Sequence, residues 1–271
     1  MADIRFAARE YMVPGKTVTE RFENAARIGL AGIEVTGSSR PEFVPEIKAA
    51  SAATGVKATL MAARSQFVLD ARKEERAKSI QAFKDALSMA GEVGALGTIM
   101  APLIAIKMEG GQRLPDLSPL LSTAEAERRL LTAVLAELAD HAQACGVEII
   151  IEPLNRYEQW WPCTLQHGLE ISRALGKPGV SVMADFFHMS IEEADMGAAI
   201  RAAGTLVRNV HLADSHRLWP GTGHTDFRPG FAALRAIGYP HYMAFECGTP
   251  GERFAEFAKA MDYLRRVWAE A

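Results

Sequence analysis

Eight short apolar runs recur along the chain, each followed by a longer polar or amphipathic stretch. This alternation restricts the fold more than any other feature. The runs are Ile4–Ala7, Gly32–Thr36, Val56–Met61, Leu96–Ala101, Val147–Glu152, Val180–Asp185, Val207–His211 and Tyr242–Glu246. The last four, V-E-I-I-I-E, V-S-V-M-A-D, V-R-N-V-H and Y-M-A-F-E, are nearly continuous in apolar residues. Such runs suit strands covered on both faces, as in a parallel sheet. Helical spacing marks Val18–Leu30, Arg72–Val93, Thr123–Cys145, Leu165–Leu175, Phe231–Ile237 and Arg253–Ala269. Ser122 or Thr123, with Glu125 and Glu127, supplies a cap and an acidic first turn for the third of these, and Gly146 stops it.

Eight β–α units in 271 residues predict a single (β/α)8 TIM barrel, which typically takes about 250 residues. A doubly wound sheet is the alternative. If it bound a dinucleotide, a Gly-rich phosphate turn would follow its first strand. The segment there reads A-R-E-Y-M-V-P-G-K and has no such turn. The Gly- and Pro-containing stretch Lys107–Pro119 reads as a loop after the fourth strand. No linker composition divides the chain, so residues 1–271 are expected to form one domain with its active site at the C-terminal strand ends.

Composition narrows the function classes. A net charge of −3 gives no reason to expect a nucleic-acid partner. Three scattered cysteines, Cys145, Cys163 and Cys247, form neither a disulfide framework nor a Cys-rich zinc site. No window reaches the roughly 18 apolar residues of a membrane span. The start, M-A-D-I-R-F-A-A-R-E, carries charge where a leader needs an apolar core. A cytoplasmic protein is expected.

The last four apolar runs each close on a metal-capable residue: Glu152, Asp185, His211 and Glu246, spaced 33, 26 and 35 residues apart. The strands of a parallel barrel all open on one face, so these four become neighbours round one mouth. A lone acidic residue at a strand end often caps the next helix. Four together, each closing an apolar run, point to a shared site. Three carboxylates and an imidazole make a hard ligand set that suits Mn²⁺, Mg²⁺ or Co²⁺ better than structural zinc. Polar residues crowd the same mouth: Glu158, His188 and Arg217.

The segments E-P-L-N-R-Y-E (152–158), A-D-F-F-H-M-S-I-E-E (184–193) and H-L-A-D-S-H-R (211–217), followed by W-P-G-T-G-H-T-D-F (219–227), resemble the xylose-isomerase-like TIM-barrel superfamily of sugar isomerases and epimerases. They are most similar to its ketose 3-epimerase branch, which includes epimerases of keto-sugar acids. The motif-level match covers residues 147 to 250; the first half agrees in its β/α rhythm. The resemblance implies that Glu152, Asp185, His211 and Glu246 hold one divalent metal, with Mn²⁺ foremost and Mg²⁺ or Co²⁺ as alternatives. It implies that Glu152 and Glu246 are an acid/base pair on opposite faces of the sugar carbon. It also implies that Glu158, His188 and Arg217 bind the carbonyl end of a sugar substrate.

The implied chemistry is proton removal beside a carbonyl and its return on the other face. That requires a cation to bind the developing enediolate and a carboxylate on each side. An aldose–ketose isomerase of hydroxypyruvate or inosose type, a lyase eliminating from a 3-keto-glycoside, and a non-catalytic sugar-binding barrel are alternatives on the same motifs. Endonuclease-IV-like barrels use histidines of early strands, whereas all seven histidines here lie at or after His141. Among smaller signals, Glu34 is a pocket group or a buried partner for an arginine, and Arg64 and Gln66 follow the third strand. Trp160, Trp161 and Trp219 are candidates for stacking on sugar or for a subunit contact, and a homo-oligomer is expected.

Overall fold

A computed structural model describes residues 4–271. The first three residues of the charged N-terminal segment lie outside the described residues. The first half runs β1 (Phe6–Arg9), α1 (Val18–Ile28), β2 (Gly32–Val35), α2 (Val44–Thr54), β3 (Lys57–Met61), α3 (Lys73–Val93), β4 (Gly97–Met100), α4 (Ile104–Met108) and α5 (Thr123–Cys145). The second half runs β5 (Glu148–Ile151), α6 (Leu165–Leu175), β6 (Val180–Asp185), α7 (Phe186–Glu192), α8 (Met196–Ala203), β7 (Val207–Leu212), α9 (Arg228–Ala236), β8 (Met243–Phe245) and α10 (Arg253–Glu270).

The eight strands form one sheet in the order β3-β2-β1-β8-β7-β6-β5-β4. Every paired neighbour is parallel. Across the β3–β4 seam, the Leu96 amide donates to the Thr59 carbonyl at 2.9 Å, so the sheet curls into a nearly closed (β/α)8 barrel. Close strand approach depends on Gly97, whose φ is 155°. A Cβ there would lie 1.8 Å from the Glu148 carbonyl oxygen, so any other residue would push β4 off β5.

The helix ends follow local chemistry. The Ser122 side chain accepts from the Glu125 amide at 3.3 Å, and Gly146 closes α5 in the left-handed region with φ 70°. Four helices, α2, α4, α7 and α8, lie where the periodicity had suggested none. Two have Pro or a strand end at their start, and α4 is a single short turn. The expected loop at Lys107–Pro119 therefore begins one residue after Met108, with Lys107 inside α4.

Buried side chains fill the layer between strands and helices. Inside the barrel, Leu60, Ile99, Ile150 and Met183 from β3, β4, β5 and β6 form a separate apolar layer. The opposite side of the interior is polar, with buried Glu34, Asn209 and His211. Among the described residues, no helix is long and apolar enough to cross a membrane.

Candidate metal centre and active-site cavity

Strand register builds the centre. Asp185 ends β6 and pairs with His211 on β7, and His211 pairs in turn with Ala244 on β8. Glu152 and Glu246 each follow directly on the last residue of their strands. As a result, one ligand-capable atom from each of Glu152, Asp185, His211 and Glu246 lies within 4.8 Å of all the others. Asp185 combines the two roles weighed for strand-end acids. Its Oδ1 caps α7 by accepting from the amides of Phe187 (2.8 Å) and His188 (3.1 Å). Its Oδ2 turns to His211 Nδ1 at 3.4 Å.

His211 is fully buried and its two nitrogens face different partners. Nε2 lies 2.9 Å from Glu34 Oε2, so the Nε2 proton donates to that carboxylate. Nδ1 faces the cluster, 2.8 Å from Glu246 Oε2 and 3.4 Å from Glu152 Oε1. Neither Nδ1 nor Glu152 Oε1 has a hydrogen-bond partner of acceptable angle, although both are buried. Orphaned polar atoms in the interior are costly. A cation between them would satisfy both, and the imidazole–carboxylate pairing behind His211 is the usual support for a metal-binding histidine. The residues present therefore fit a divalent ion.

Charge points the same way. Glu34, Glu152, Asp185 and Glu246 face two arginines, Arg9 and Arg217. The four carboxylates carry two more charges than the two guanidinium groups; a protonated His211 offsets one of them, and a cation among the carboxylates would take the place of that proton. The carboxylates ionise despite burial. Burial works against Asp185, but Arg217, His188 and His211 hold it well below the usual range. Burial likewise opposes Glu246, which His211, Arg9 and Arg217 hold far down. Burial pulls the His211 imidazole down, yet Glu34 and Glu246 push it well above its ordinary value.

Behind this cluster, Glu34 on β2 is a hub. Its Oε1 accepts from Asn209 Nδ2 at 2.8 Å and its Oε2 from Arg9 Nη1 at 3.2 Å. Of the two expectations for Glu34, the structure supports the buried arginine partner: the side chain lies behind His211 and does not line the cavity. Arg9, which also contacts Glu246 Oε1 at 3.0 Å, escaped the sequence reading. The apolar run stops at Ala7, whereas β1 extends to Arg9, so the residue that reaches the site lay beyond the expected strand.

A cavity of about 190 Å³ opens over the centre and is lined by Glu152, Glu158, His188, Arg217 and Glu246. Glu158 Oε1 accepts from Asn155 Nδ2 at 2.8 Å. His188 Nδ1 accepts from the Asn155 amide at 3.1 Å, and its Nε2 lies 3.9 Å from Asp185 Oδ2. Arg217 donates through Nη1 to both Asp185 oxygens at 2.8 Å, pairs with Glu246 Oε2 and lies 4.7 Å from the Phe187 ring centroid. Its φ of 58° puts a non-glycine residue in the left-handed region, strain of the kind that collects at functional sites. Asp214 holds that loop by accepting from the amides of Ser215, Gly221 and Thr225. The first half of the chain supplies the opposite wall, chiefly Val35, Leu60, Met61, Ile99 and Ile104, with Gln66 among them.

Other candidates lie elsewhere. Arg64 lines a separate surface groove with Lys78 and Asp85. Trp219 is not available to stack on sugar or on a subunit. It is buried, with its ring 4.9 Å from that of Phe257 and its Nε1 donating to the Pro250 carbonyl. Trp160 and Trp161 are engaged by Arg113 and Arg128 of the same chain. His224 pairs with Ser215 in its loop, and His167 caps α6.

Comparison with known proteins extends the picture. The family model described as xylose isomerase-like TIM barrel matches residues 22–267. The chain is 29% identical over 234 residues to 3-dehydro-D-guloside 4-epimerase of Escherichia coli, covering 85% of this chain and 87% of that protein. It is 38% identical over 139 residues to L-ribulose 3-epimerase of Mesorhizobium japonicum, a match spanning 51% of this chain and 47% of that protein. The crystal structure of 3-keto-D-glucoside 4-epimerase from E. coli superposes with a TM-score of 0.85 at 26% identity, covering 97% of this chain and 99% of that one. These relatives are epimerases, enzymes of the isomerase class.

Proposed function

The chain belongs to the xylose isomerase-like TIM barrel family, and from that premise we propose that it is a divalent-metal-dependent epimerase. It inverts the carbon next to the carbonyl of a ketose or keto-sugar acid, C3 in a ketose, by removing and returning a proton through an enediolate. The observation that carries this reading is the convergence of four ligand-capable atoms from four strands within 4.8 Å, with buried polar atoms of Glu152 and His211 left without hydrogen-bond partners among them.

Glu152, Asp185, His211 and Glu246 are the residues that would hold the ion, for which Mn²⁺ is the first candidate. Bound there, a divalent ion supplies positive charge to the substrate oxygens on which negative charge develops. The rest falls to the chain. Glu152 on one side and Glu246 on the other take and return the proton, a contribution of roughly 10²–10⁴-fold. One base alone would exchange the proton on a single face. Glu158, His188 and Arg217 hold the carbonyl end, and Arg217 adds fixed positive charge. The apolar wall from β2, β3 and β4 packs against the sugar and excludes water.

Incubation with Mn²⁺ and a panel of ketoses and keto-sugar acids in deuterated water tests this. Deuterium is expected at the carbon beside the carbonyl, together with a second epimer, and EDTA should abolish both. Failure to label any sugar in a broad panel contradicts the reading. A second reading, inversion at C4 of a 3-keto-glycoside, is favoured by the 4-epimerase relative, which aligns with 85% of the chain. The labelled carbon distinguishes the two. A carbonyl that moves to a neighbouring carbon would instead mark an isomerase.

A further inference from the structure

We propose that Arg9 is a positioning residue for Glu246: it holds Oε1 of that carboxylate out of the Glu152–Asp185–His211 cluster, so that one oxygen stays available for proton transfer. The inference rests on the epimerase reading, because only there must Glu246 serve as both ligand and base.

The two duties compete. A carboxylate that gives both oxygens to a cation has none left to accept a proton from carbon. Glu246 shows a division of labour between its oxygens. Oε2 faces the cluster, 2.8 Å from His211 Nδ1, and carries the contact with Arg217. Oε1 lies 3.0 Å from Arg9 Nε, an ion-pair contact outside hydrogen-bond alignment. Rotation of the carboxylate that brought Oε1 onto the ion would break the Arg9 contact.

Arg9 is itself held in place. Its Nη1 donates to Glu34 Oε2 at 3.2 Å. Glu34 is buried and fixed by Asn209 and His211. Sheet register sets the span, since Arg9 pairs with Glu34 across β1–β2 while Ala8 pairs with Phe245 across β1–β8. The planar guanidinium fork reaches two carboxylates at once, which a lysine ammonium does with less geometric control. Glu152 has no such clamp: among the described residues no arginine lies within ion-pair distance of it, and its Oε1, 3.4 Å from His211 Nδ1, has no hydrogen-bond partner. The two members of the acid/base pair are thus oriented by different means, and only Glu246 needs a cation from the first strand.

The test compares wild type with Arg9→Met, which keeps length and removes charge, and Arg9→Lys, which keeps charge. Arg9→Gln replaces the Met variant should that one fail to fold. Crystals of each protein loaded with Mn²⁺ give the first readout. Glu246 is expected to contact the ion through one oxygen in wild type and Arg9→Lys, and through both in Arg9→Met. The second readout is kinetic: kcat should fall on the order of 10²-fold in Arg9→Met, with KM and Mn²⁺ affinity nearly unchanged and partial recovery in Arg9→Lys. Identical Glu246 coordination in all three proteins overturns the proposal. So does a loss of Mn²⁺ affinity in step with kcat, because Arg9 would then assemble the ion site rather than free an oxygen. If wild type labels no sugar, the epimerase reading fails, and the coordination of Glu246 still decides the role of Arg9.

Discussion

The two halves of the barrel have the same architecture and different content. At or beside the C-terminal ends of strands β5 to β8 stand Glu152, Asp185, His211 and Glu246, whose ligand atoms share one small volume. Strands β2 to β4 present Val35, Leu60, Met61 and Ile99 to the same cavity. One half carries acid–base and ligand groups, and the other carries shape. The division is not complete, because Arg9 and Glu34 cross it, reaching from β1 and β2 to Glu246 and His211. A parallel barrel allows this: all strand ends open on one face, so chemistry can concentrate in consecutive strands while the rest form the wall.

The sharpest way to break this comparison is to neutralise one group in each half. Glu152→Gln should lower the rate of solvent-deuterium incorporation by roughly 10²–10⁴-fold while circular dichroism stays unchanged. A variant within a few-fold of wild type would remove Glu152 from the acid/base pair. Next in size, Glu34→Gln should weaken Mn²⁺ binding by roughly 10–100-fold, the usual effect of losing the group that orients a metal-binding histidine. Calorimetric titration measures it, and unchanged affinity would confine the centre to the second half. Smaller still, Ile104→Ala on the apolar wall should shift the preference between two ketoses by about 10-fold and leave Mn²⁺ affinity intact. The ion should also act on the fold: Mn²⁺ at about 100 times its Kd should stabilise the chain by about 2.7 kcal/mol, reversed by EDTA in a thermal melt.

The sequence exposed the second half better than the first for a physical reason. Ile149–Ile151 of β5 and Val180–Ala184 of β6 are buried and nearly all apolar, so the acidic residue that follows each stands out. The helix after β5, α6, was readable end to end from its periodicity, Leu165–Leu175. In the first half, β1 begins and ends two residues later than its apolar run. That shift hid Arg9. Glu34 was visible, but which partner it would choose depends on Asn209, His211 and Arg9 meeting inside the barrel, and no local pattern encodes that meeting. Trp219 was misjudged because it stands in a polar loop sequence; the turn held by Asp214 folds it inward against Phe245 and Phe257.

The central claim is that four side chains from four strands share one divalent ion. Anomalous diffraction near the manganese edge, from crystals grown with Mn²⁺, tests it most directly. The account predicts a single strong peak bonded to Glu152, Asp185, His211 and Glu246, and its loss in Asp185→Asn. A peak elsewhere, or none among these four residues at saturating Mn²⁺, would contradict it.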